Sequence, residues 1–344
     1  MRLILHVGMG KTGTSSIQKR LANSTDALRA QRAHYLGMWL DMVDPRVKAL
    51  NNQTEFFTQD AETIRTAGDI LVSHMKQRHA VDGVDTFILS NEALAGKAIL
   101  LRPMVDRIRE LGVSVRVIAY VRNPIDWLPS AFVQWGVRHK LSPGRVRPYP
   151  EKARRLVSWY RGILEWHEQS PELLELRSYD DAPDVVADFS AAIGLRLPPS
   201  PDRELERAED AEIILRALFN DAFKATVLPE RFNRLVLPNL DKVARLDDVI
   251  AACLDYSETP QVVAENAAFF DRVAAVCGFD PRTKGKGTPR PAPDPGPVKD
   301  RILDALVEIT LMQAQQIRRL EDTVERLARG EDLPPGSFPP IRRP

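Results

Sequence analysis

The chain has 344 residues, 44% of them hydrophobic and 28% charged, which is the composition of a folded, water-soluble protein. Its 48 Lys and Arg residues nearly balance 47 Asp and Glu residues, so a nucleic-acid binder with a strongly basic face is not expected. With only two cysteines, no signal-peptide pattern and no apolar run long enough to span a bilayer, the sequence predicts a cytoplasmic protein without structural disulfides.

Short apolar runs alternate with helix-forming stretches over the first two hundred residues or so. The runs predict strands because they are β-branched or stop at a glycine or polar residue, and they lie at 3–7, 86–89, 113–121 and 173–179. Helices are predicted at 14–32, 125–140 and 185–193. Buried strands separated by helices indicate an α/β protein with a mainly parallel sheet, over which 34–82 and 195–280 would form helical, irregular caps.

The prolines suggest where the folded body ends. Eleven of the 26 lie in the last 64 residues. Residues 281–297 are rich in Pro and Gly and predict an extended, mobile linker, because such a stretch has little to bury. The predicted organisation is a folded domain at 1–280, this linker, a helix at 298–329 and a Pro-rich tail at 330–344.

The predicted C-terminal helix carries a repeat with alternating spacings of three and four residues. Six of its eight positions are apolar. The positions are Leu303, Leu306, Thr310, Gln313, Ile317, Leu320, Val324 and Leu327. This pattern is compatible with a coiled-coil homodimer and equally with packing of the helix on its own domain.

The stretch after the first predicted strand is typical of a phosphate-binding loop. It reads Gly8-Met9-Gly10-Lys11-Thr12-Gly13-Thr14-Ser15 and leads into a predicted helix. Glycines allow backbone N–H groups to approach an anion, the helix N-terminus adds a positive dipole, and lysine adds a full charge. The alternative is a plain strand-to-helix turn.

This loop departs from the Walker A pattern of nucleotide triphosphatases. Ending the pattern at Gly10-Lys11-Thr12 would put Leu5 where its first glycine belongs, and ending it at Gly13 would put Thr14 in place of the lysine. The predicted strand at 86–89 also lacks a terminal Asp that could hold magnesium.

Two motifs together resemble the sulfotransferases that use 3′-phosphoadenosine 5′-phosphosulfate (PAPS), and bacterial-type carbohydrate sulfotransferases in particular. The loop at 8–15 is similar to their 5′-phosphosulfate loop, while Tyr120-Val121-Arg122-Asn123-Pro124 with Ser130 is similar to their 3′-phosphate site. A late strand and helix at 174–189 also agree. The resemblance implies a three-layer α/β/α, P-loop NTPase-like domain with PAPS as sulfuryl donor and no metal.

The resemblance implies roles for the motif residues. Gly8, Thr12, Gly13, Thr14 and Ser15 would hold the 5′-phosphosulfate, and Lys11 would neutralise charge as the S–O bond breaks. Arg122 and Ser130 would hold the 3′-phosphate. From the residues alone, Arg122 could instead pair with Asp126 or another acid, and Ser130 could be a packing serine.

The general base is expected just after the strand at 86–89. Cytosolic family members have a His there, whereas this chain has Ser90-Asn91-Glu92, and some carbohydrate and protein-tyrosine sulfotransferases use Glu. Glu92 is therefore the predicted catalytic base, with His6 and His74 as alternatives. Glu92 could also cap the following helix or pair with Lys11.

The expected function is transfer of a sulfuryl group from PAPS to a hydroxyl, with a glycan as acceptor. A small-molecule kinase using ATP and Mg²⁺ and a non-catalytic nucleotide-binding scaffold remain alternatives. The Gly-rich loop that the family carries near its C-terminus has no convincing counterpart, because the nearest match, residues 282–287, lies within the predicted linker.

Overall fold

In the computed structural model of the protein, the described residues are 1–39, 56, 58–198, 210–221, 223–226 and 246–329. The predicted tail at 330–344 and parts of both predicted caps lie outside them. The chain divides into two compact units, described separately below. The first falls within 1–137, 147–207 and 255–291, and the second within 138–146, 208–254 and 292–344.

Among the described residues, the first unit contains all the strands and most of the helices. The strands are β1 Arg2–His6, β2 Ala33–Tyr35, β3 Thr86–Ser90, β4 Ser114–Val121 and β5 Leu174–Ser178. The helices are α1 Thr14–Ala22, α2 Thr25–Ala30, α3 Ala61–Asp82, α4 Ala98–Glu110, α5 Pro124–Phe132, α6 Tyr149–Leu156, α7 Arg161–Gln169, α8 Val185–Ile193, α11 Thr259–Glu265 and α12 Ala267–Cys277. The second unit contains α9 Asp210–Asp221, α10 Leu246–Leu254 and α13 Pro295–Ala328.

The strands form one parallel sheet in the order β2-β3-β1-β4-β5. β1 lies between β3 and β4, so that His6 is opposite Ser90 on one side and Ile118 on the other. The prediction of an α/β fold with a parallel sheet is confirmed.

Helices cover both faces of this sheet. Ile4, Ile88 and Ile118 belong to a buried cluster with Ile17 of α1 and Phe189 of α8. The neighbouring strand residues, which point to the opposite face because side chains alternate along a strand, are equally buried. There α4 packs against β4, and α3 packs against α4. A sheet buried on both faces explains the continuous apolar runs in the sequence.

Two elements differ from the prediction. The helix expected over 14–32 is broken into α1 and α2, because Asn23 ends the first helix and Ser24 precedes the second. Both residue types favour helix ends over helix interiors. β2 is an edge strand paired with β3; it begins directly after the predicted helix, and its last two residues fall in the predicted cap.

In the second unit, α13 starts three residues before the predicted position. The side chain of Asp294 accepts the N–H of Gly296, and Pro295 occupies the first helical position, where its missing N–H costs nothing. Val298 and Ile302 are buried, and Lys299 pairs with Asp247 at 2.6 Å. Within the described part of the chain, no helix has the length and apolar character needed to cross a membrane.

Candidate functional site

Four loops meet at one edge of the sheet because the strands they follow are parallel. They follow β1, β3, β4 and β5, and they begin at Val7, Asn91, Arg122 and Tyr179. In open α/β sheets, ligands bind beyond the carboxyl ends of the strands. The residues predicted from sequence to form the site belong to the first three of these loops and the helices that follow them.

The loop after β1 bends tightly around the start of α1. Lys11 has φ of 68° and Gly13 has φ of 80°, both in the left-handed region, which is uncommon for a lysine. The first hydrogen bond of α1 runs from Ile17 N–H to Gly13 O at 3.1 Å. The N–H groups of Thr14, Ser15 and Ser16 therefore have no partner within the helix, which is the arrangement that binds anions.

Thr14 directs a buried, unsatisfied hydroxyl into this loop. Its Oγ1 has no hydrogen-bond partner among the described residues, although the side chain is only 3% exposed. A Cβ placed on Gly8 would lie 2.7 Å from that oxygen. A buried hydroxyl without a partner is costly in a folded protein, so this position is suited to a ligand oxygen.

Arg122 joins the loop after β4 to the loop after β1. Its Nη1 donates to Lys11 O at 3.2 Å, and its guanidinium carbon lies 5.0 Å from the centre of the Tyr179 ring. Its Nε is buried without a hydrogen-bond partner among the described residues and is 3.9 Å from Asp180 Oδ1. The nearby acid is thus Asp180 rather than Asp126, which the sequence suggested as an alternative partner.

α5 is fixed at its start by capping and by a contact with the loop. The side chain of Asn123 accepts the N–H of Ile125, and Pro124 begins the helix. Trp127 donates from Nε1 to Gly10 O at 2.8 Å. Ser130 lies three residues further along, on the same helix face as Trp127. Its contact with a ligand bound at Arg122 stays a prediction.

The segment predicted to be a free linker reaches this site instead. The side chain of Asn123 donates to Lys284 O and, at 3.3 Å, to Arg282 O. Gly287 N–H donates to Asp126 Oδ2 at 3.4 Å, and Lys284 pairs with Asp181 at 2.9 Å. Polar groups at the start of α5 thus bind the backbone of residues 282–287, which have no apolar side chains.

Glu92 lies beside the opening of the loop. A Cβ on Gly8 would be 3.8 Å from Glu92 Cβ. Gln18 of α1 donates from Nε2 to Glu92 Oε2 at 3.1 Å and to Ser90 O at 3.0 Å, which orients the carboxylate. The short helix Glu92–Leu94 is capped by Asn91, so capping is not the role of Glu92. Burial and the charge of Glu92 raise the pKa of Tyr35 to about 12.

His6 is buried beneath the loop. Its Nδ1 is 2.7 Å from Ser90 Oγ, and its ring packs against Tyr120 and Phe189. Burial lowers the pKa of His6 to about 3, so the ring is neutral at physiological pH and is a weak base. The other alternative base, His74, lies in α3. Burial lowers the pKa of His34 in β2, and the charges of Arg78 and His74 lower it further.

Several site residues were not singled out as functional from sequence. Gln18, Trp127 and Asp180 have no motif of their own, and each contacts the site from a different element. For residues 282–287 the signal was present, as two Lys-Gly pairs after an arginine, but the surrounding prolines favoured a linker.

The arrangement fits a ligand with two separated anionic groups. One set of donors comprises the α1 N–H groups, the Thr14 hydroxyl and Lys11, and the other is Arg122 with its unsatisfied Nε. Both sets belong to the first unit, and the Arg122–Lys11 hydrogen bond connects them. Backbone N–H groups, a lysine and a guanidinium are donors suited to phosphate or sulfate groups.

No family model matches the chain, and no curated protein matches it. Among solved structures, a sulfotransferase from Alicyclobacillus acidocaldarius is similar at 14% identity and a TM-score of 0.33, over 68% of this chain and 99% of that one. The sulfotransferase domain from the curacin biosynthetic pathway is similar at 12% identity and a TM-score of 0.32, over 78% of this chain and 97% of that one. Similarity at this level is not evidence for function, so the functional inference rests on the residues of the site.

Proposed function

We propose that this protein is a PAPS-dependent sulfotransferase that moves a sulfuryl group to an acceptor hydroxyl. The observation that carries the proposal is the hydrogen bond from Arg122 Nη1 to Lys11 O, which brings the two predicted anion-binding motifs into one site. They lie 111 residues apart in the sequence.

The two charged ends of PAPS would be bound by different groups of the protein. The N–H groups from Thr12 to Ser15 and the Thr14 hydroxyl would bind the 5′-phosphate. Arg122 and Ser130 would bind the 3′-phosphate, and the backbone turn at 284–287 supports that side through Asn123 and Asp126. Asp180, which accepts the N–H of Asn123 at 2.6 Å, would help to orient the loop that carries Arg122.

Transfer would be in line, with Glu92 as base and Lys11 as electrostatic stabiliser. The acceptor oxygen attacks sulfur, and its proton passes to the Glu92 carboxylate that Gln18 orients. The bond between sulfur and the 5′-phosphate oxygen breaks, and Lys11 stabilises the negative charge left on that oxygen. His6 is unsuited to the role of base because its pKa is about 3 and its ring is buried.

For the acceptor we propose a carbohydrate. This part of the proposal rests on the resemblance to carbohydrate sulfotransferases and on the choice of Glu92 over a histidine.

For the exposed face of α13 we propose a second copy of the chain as partner. Ile317, Leu320, Val324 and Leu327 are each at least half exposed and follow the three-four spacing of a coiled coil. β-branched residues at the first heptad position with leucine at the fourth favour a parallel dimer. The first turns of α13 are already engaged within the second unit, through Val298 and Ile302.

Thermal denaturation with two nucleotides tests the proposal against its kinase alternative. Adenosine 3′,5′-bisphosphate (PAP) should raise the melting temperature in the presence of EDTA, because ligands that bind the folded state stabilise it. ATP with Mg²⁺ should have less effect, since the loop fits no Walker A register. Stabilisation by ATP with Mg²⁺ alone would favour the kinase.

A transfer assay separates the enzyme from a non-catalytic nucleotide-binding scaffold. PAPS labelled with ³⁵S is offered with panels of glycans, lipids and phenols, and label in the acceptor is measured. A scaffold would bind PAP and label none of them.

A further inference from the structure

Three tryptophans form a cluster over the start of the loop after β1. The rings of Trp135 and Trp159 are 4.3 Å apart between centroids, and each lies 6.3 Å from Trp127. Trp135 belongs to a π-helical turn, Val133–Arg138, and Trp159 to a 3₁₀ turn, Val157–Tyr160. π-helical turns are rare and occur frequently at functional sites.

The cluster is tied to the loop. Trp127 is fully buried and donates to Gly10 O at 2.8 Å. Trp135 covers Gly10 so closely that a Cβ at this position would lie 2.4 Å from its indole ring. Tyr160, whose ring packs edge-on against Trp127, donates from its hydroxyl to Arg122 O at 2.6 Å. The indoles therefore hold a fixed position relative to both predicted anion sites.

Trp159 forms the outer side of the cluster and is 40% exposed. Among the large apolar side chains that are exposed in the described residues, it is the one aromatic. An indole that is already fixed by its neighbours can stack on a ligand without losing further conformational entropy.

We propose that Trp159, supported by Trp135, is the platform on which a sugar ring of the acceptor stacks. This proposal rests on the function proposed above and assigns residues to the acceptor side of that site. Gly10 precedes Lys11, whereas the N–H groups suited to the nucleotide phosphate follow it, at Thr12–Ser15. The indole cluster contacts the loop at Gly10, next to Lys11, so a group stacked on Trp159 and Trp135 lies beside the residue proposed to stabilise the transferred sulfuryl group.

The openness of the platform favours a sugar over a phenol. The C–H groups on one face of a pyranose carry partial positive charge and pair with the negative face of an indole. The hydroxyls on the rim of the sugar stay hydrated, which a half-exposed ring permits. A flat apolar acceptor gains most when both of its faces are enclosed, as in the typical small-molecule pocket.

Isothermal titration calorimetry of the PAP-loaded protein tests the platform. The probes are chitotetraose, cellotetraose and 2-naphthol. We expect at least one oligosaccharide to bind the wild type, and Trp159→Ala to weaken that binding on the order of tenfold, as the loss of one stacked ring does. Trp159→Phe should retain most of the affinity. Ile99→Ala, which removes an exposed apolar side chain of α4, is the matched control and should have no effect.

Kinetics and PAP binding complete the test. If an oligosaccharide is sulfated, Trp159→Ala should raise the KM for that acceptor with little change in kcat, and its PAP affinity should equal that of the wild type. The platform is overturned if neither oligosaccharide binds, if Trp159→Ala binds sugar normally, or if 2-naphthol is the preferred and Trp159-dependent ligand. Failure of the proposed function appears separately, as absence of PAP binding by the wild type.

Discussion

Lys11 has a positive φ, and its backbone carbonyl accepts a hydrogen bond from Arg122 of the other predicted anion site. Lys11→Ala should lower sulfuryl transfer by a factor on the order of 10²–10³, because it removes a charge that stabilises the leaving oxygen. Alanine tolerates this backbone about as well as lysine, so the melting temperature should stay near that of the wild type. Label transfer from ³⁵S-PAPS measures the effect, with exposed Lys19→Ala on α1 as control. Full activity in Lys11→Ala would remove the residue from the mechanism.

Glu92 is expected to act on the acceptor rather than on the nucleotide. Glu92→Gln keeps the size of the side chain and its capacity to bind Gln18, but it removes the base. The value of kcat should fall by a factor of about 10²–10⁴, whereas PAP affinity measured by calorimetry should be unchanged. A loss of PAP affinity without a loss of kcat would place Glu92 in the nucleotide site instead.

His6 should make the stability of the fold depend on pH in the acid range. In the unfolded chain it binds a proton near its ordinary pKa of 6.5, whereas in the folded protein burial lowers its pKa to about 3. Between these values the unfolded state binds more protons, so stability is lost as the pH falls below 6.5, by up to about 1.4 kcal/mol per pH unit.

Urea unfolding of the wild type and His6→Gln between pH 7 and 4 measures this contribution. The free energy of unfolding should decline less steeply with falling pH in His6→Gln than in the wild type. His167→Gln, on α7, should leave the wild-type slope intact. Equal slopes for His6→Gln and the wild type would mean that burial does not lower the pKa of His6 in the folded protein.

Among individual residues, those that belong to local sequence motifs could be predicted, whereas those brought to the site by packing could not. Lys11 and Arg122 could be found because each follows a strand with a characteristic turn. Gln18 could not, because its contact with Glu92 depends on how α1 lies across the end of β3. The position of Trp159 could not be predicted either, because it depends on how the 3₁₀ turn Val157–Tyr160 packs against Trp135.

Among the elements, buried strands were the easiest to predict. β1, β3 and β4 were expected near their observed positions, since a strand covered on both faces must be a continuous apolar run. β5 was also expected near its observed position, although it is only half-buried and carries Glu175 and Arg177. β2 was missed because it has only three residues at the sheet edge. The packing of 282–287 was missed for a different reason: it depends on backbone hydrogen bonds with Asn123 and Asp126, which leave no hydrophobic pattern.

α13 leads to a prediction about assembly. Its exposed apolar residues Ile317, Leu320 and Val324 would be covered in a parallel coiled-coil dimer. Leu320→Lys should convert the dimer to a monomer in sedimentation equilibrium, because it buries a charge in the seam. Asp322→Lys, at an exposed position that faces away from the seam, is the control for the added charge. A wild-type monomer at micromolar concentration would contradict the pairing.

For the whole molecule, near-zero net charge is compatible with an anion-binding site, because the basic residues of the site are few and nearby acids partly neutralise their charge. Arg122 lies near Asp180, and Lys284 pairs with Asp181. Burial raises the pKa of Asp180, although the N–H of Asn123 and the charge of Arg122 act in the opposite direction. Selectivity for the nucleotide must then come from the positions of the hydrogen-bond donors in the site rather than from the overall charge of +1.

Stabilisation of the whole fold by PAP and by AMP measures that selectivity, since the two ligands differ only in the 3′-phosphate. PAP at about 100 times its Kd should stabilise the wild type by about 2.7 kcal/mol, and AMP at the same concentration should stabilise it less. In Arg122→Ala the advantage of PAP over AMP should largely disappear, because the guanidinium that distinguishes them is gone. Arg161→Ala, an exposed position at the start of α7, should keep the wild-type difference. If Arg122→Ala weakens PAP and AMP equally, Arg122 supports the loop through Lys11 O and does not bind the 3′-phosphate.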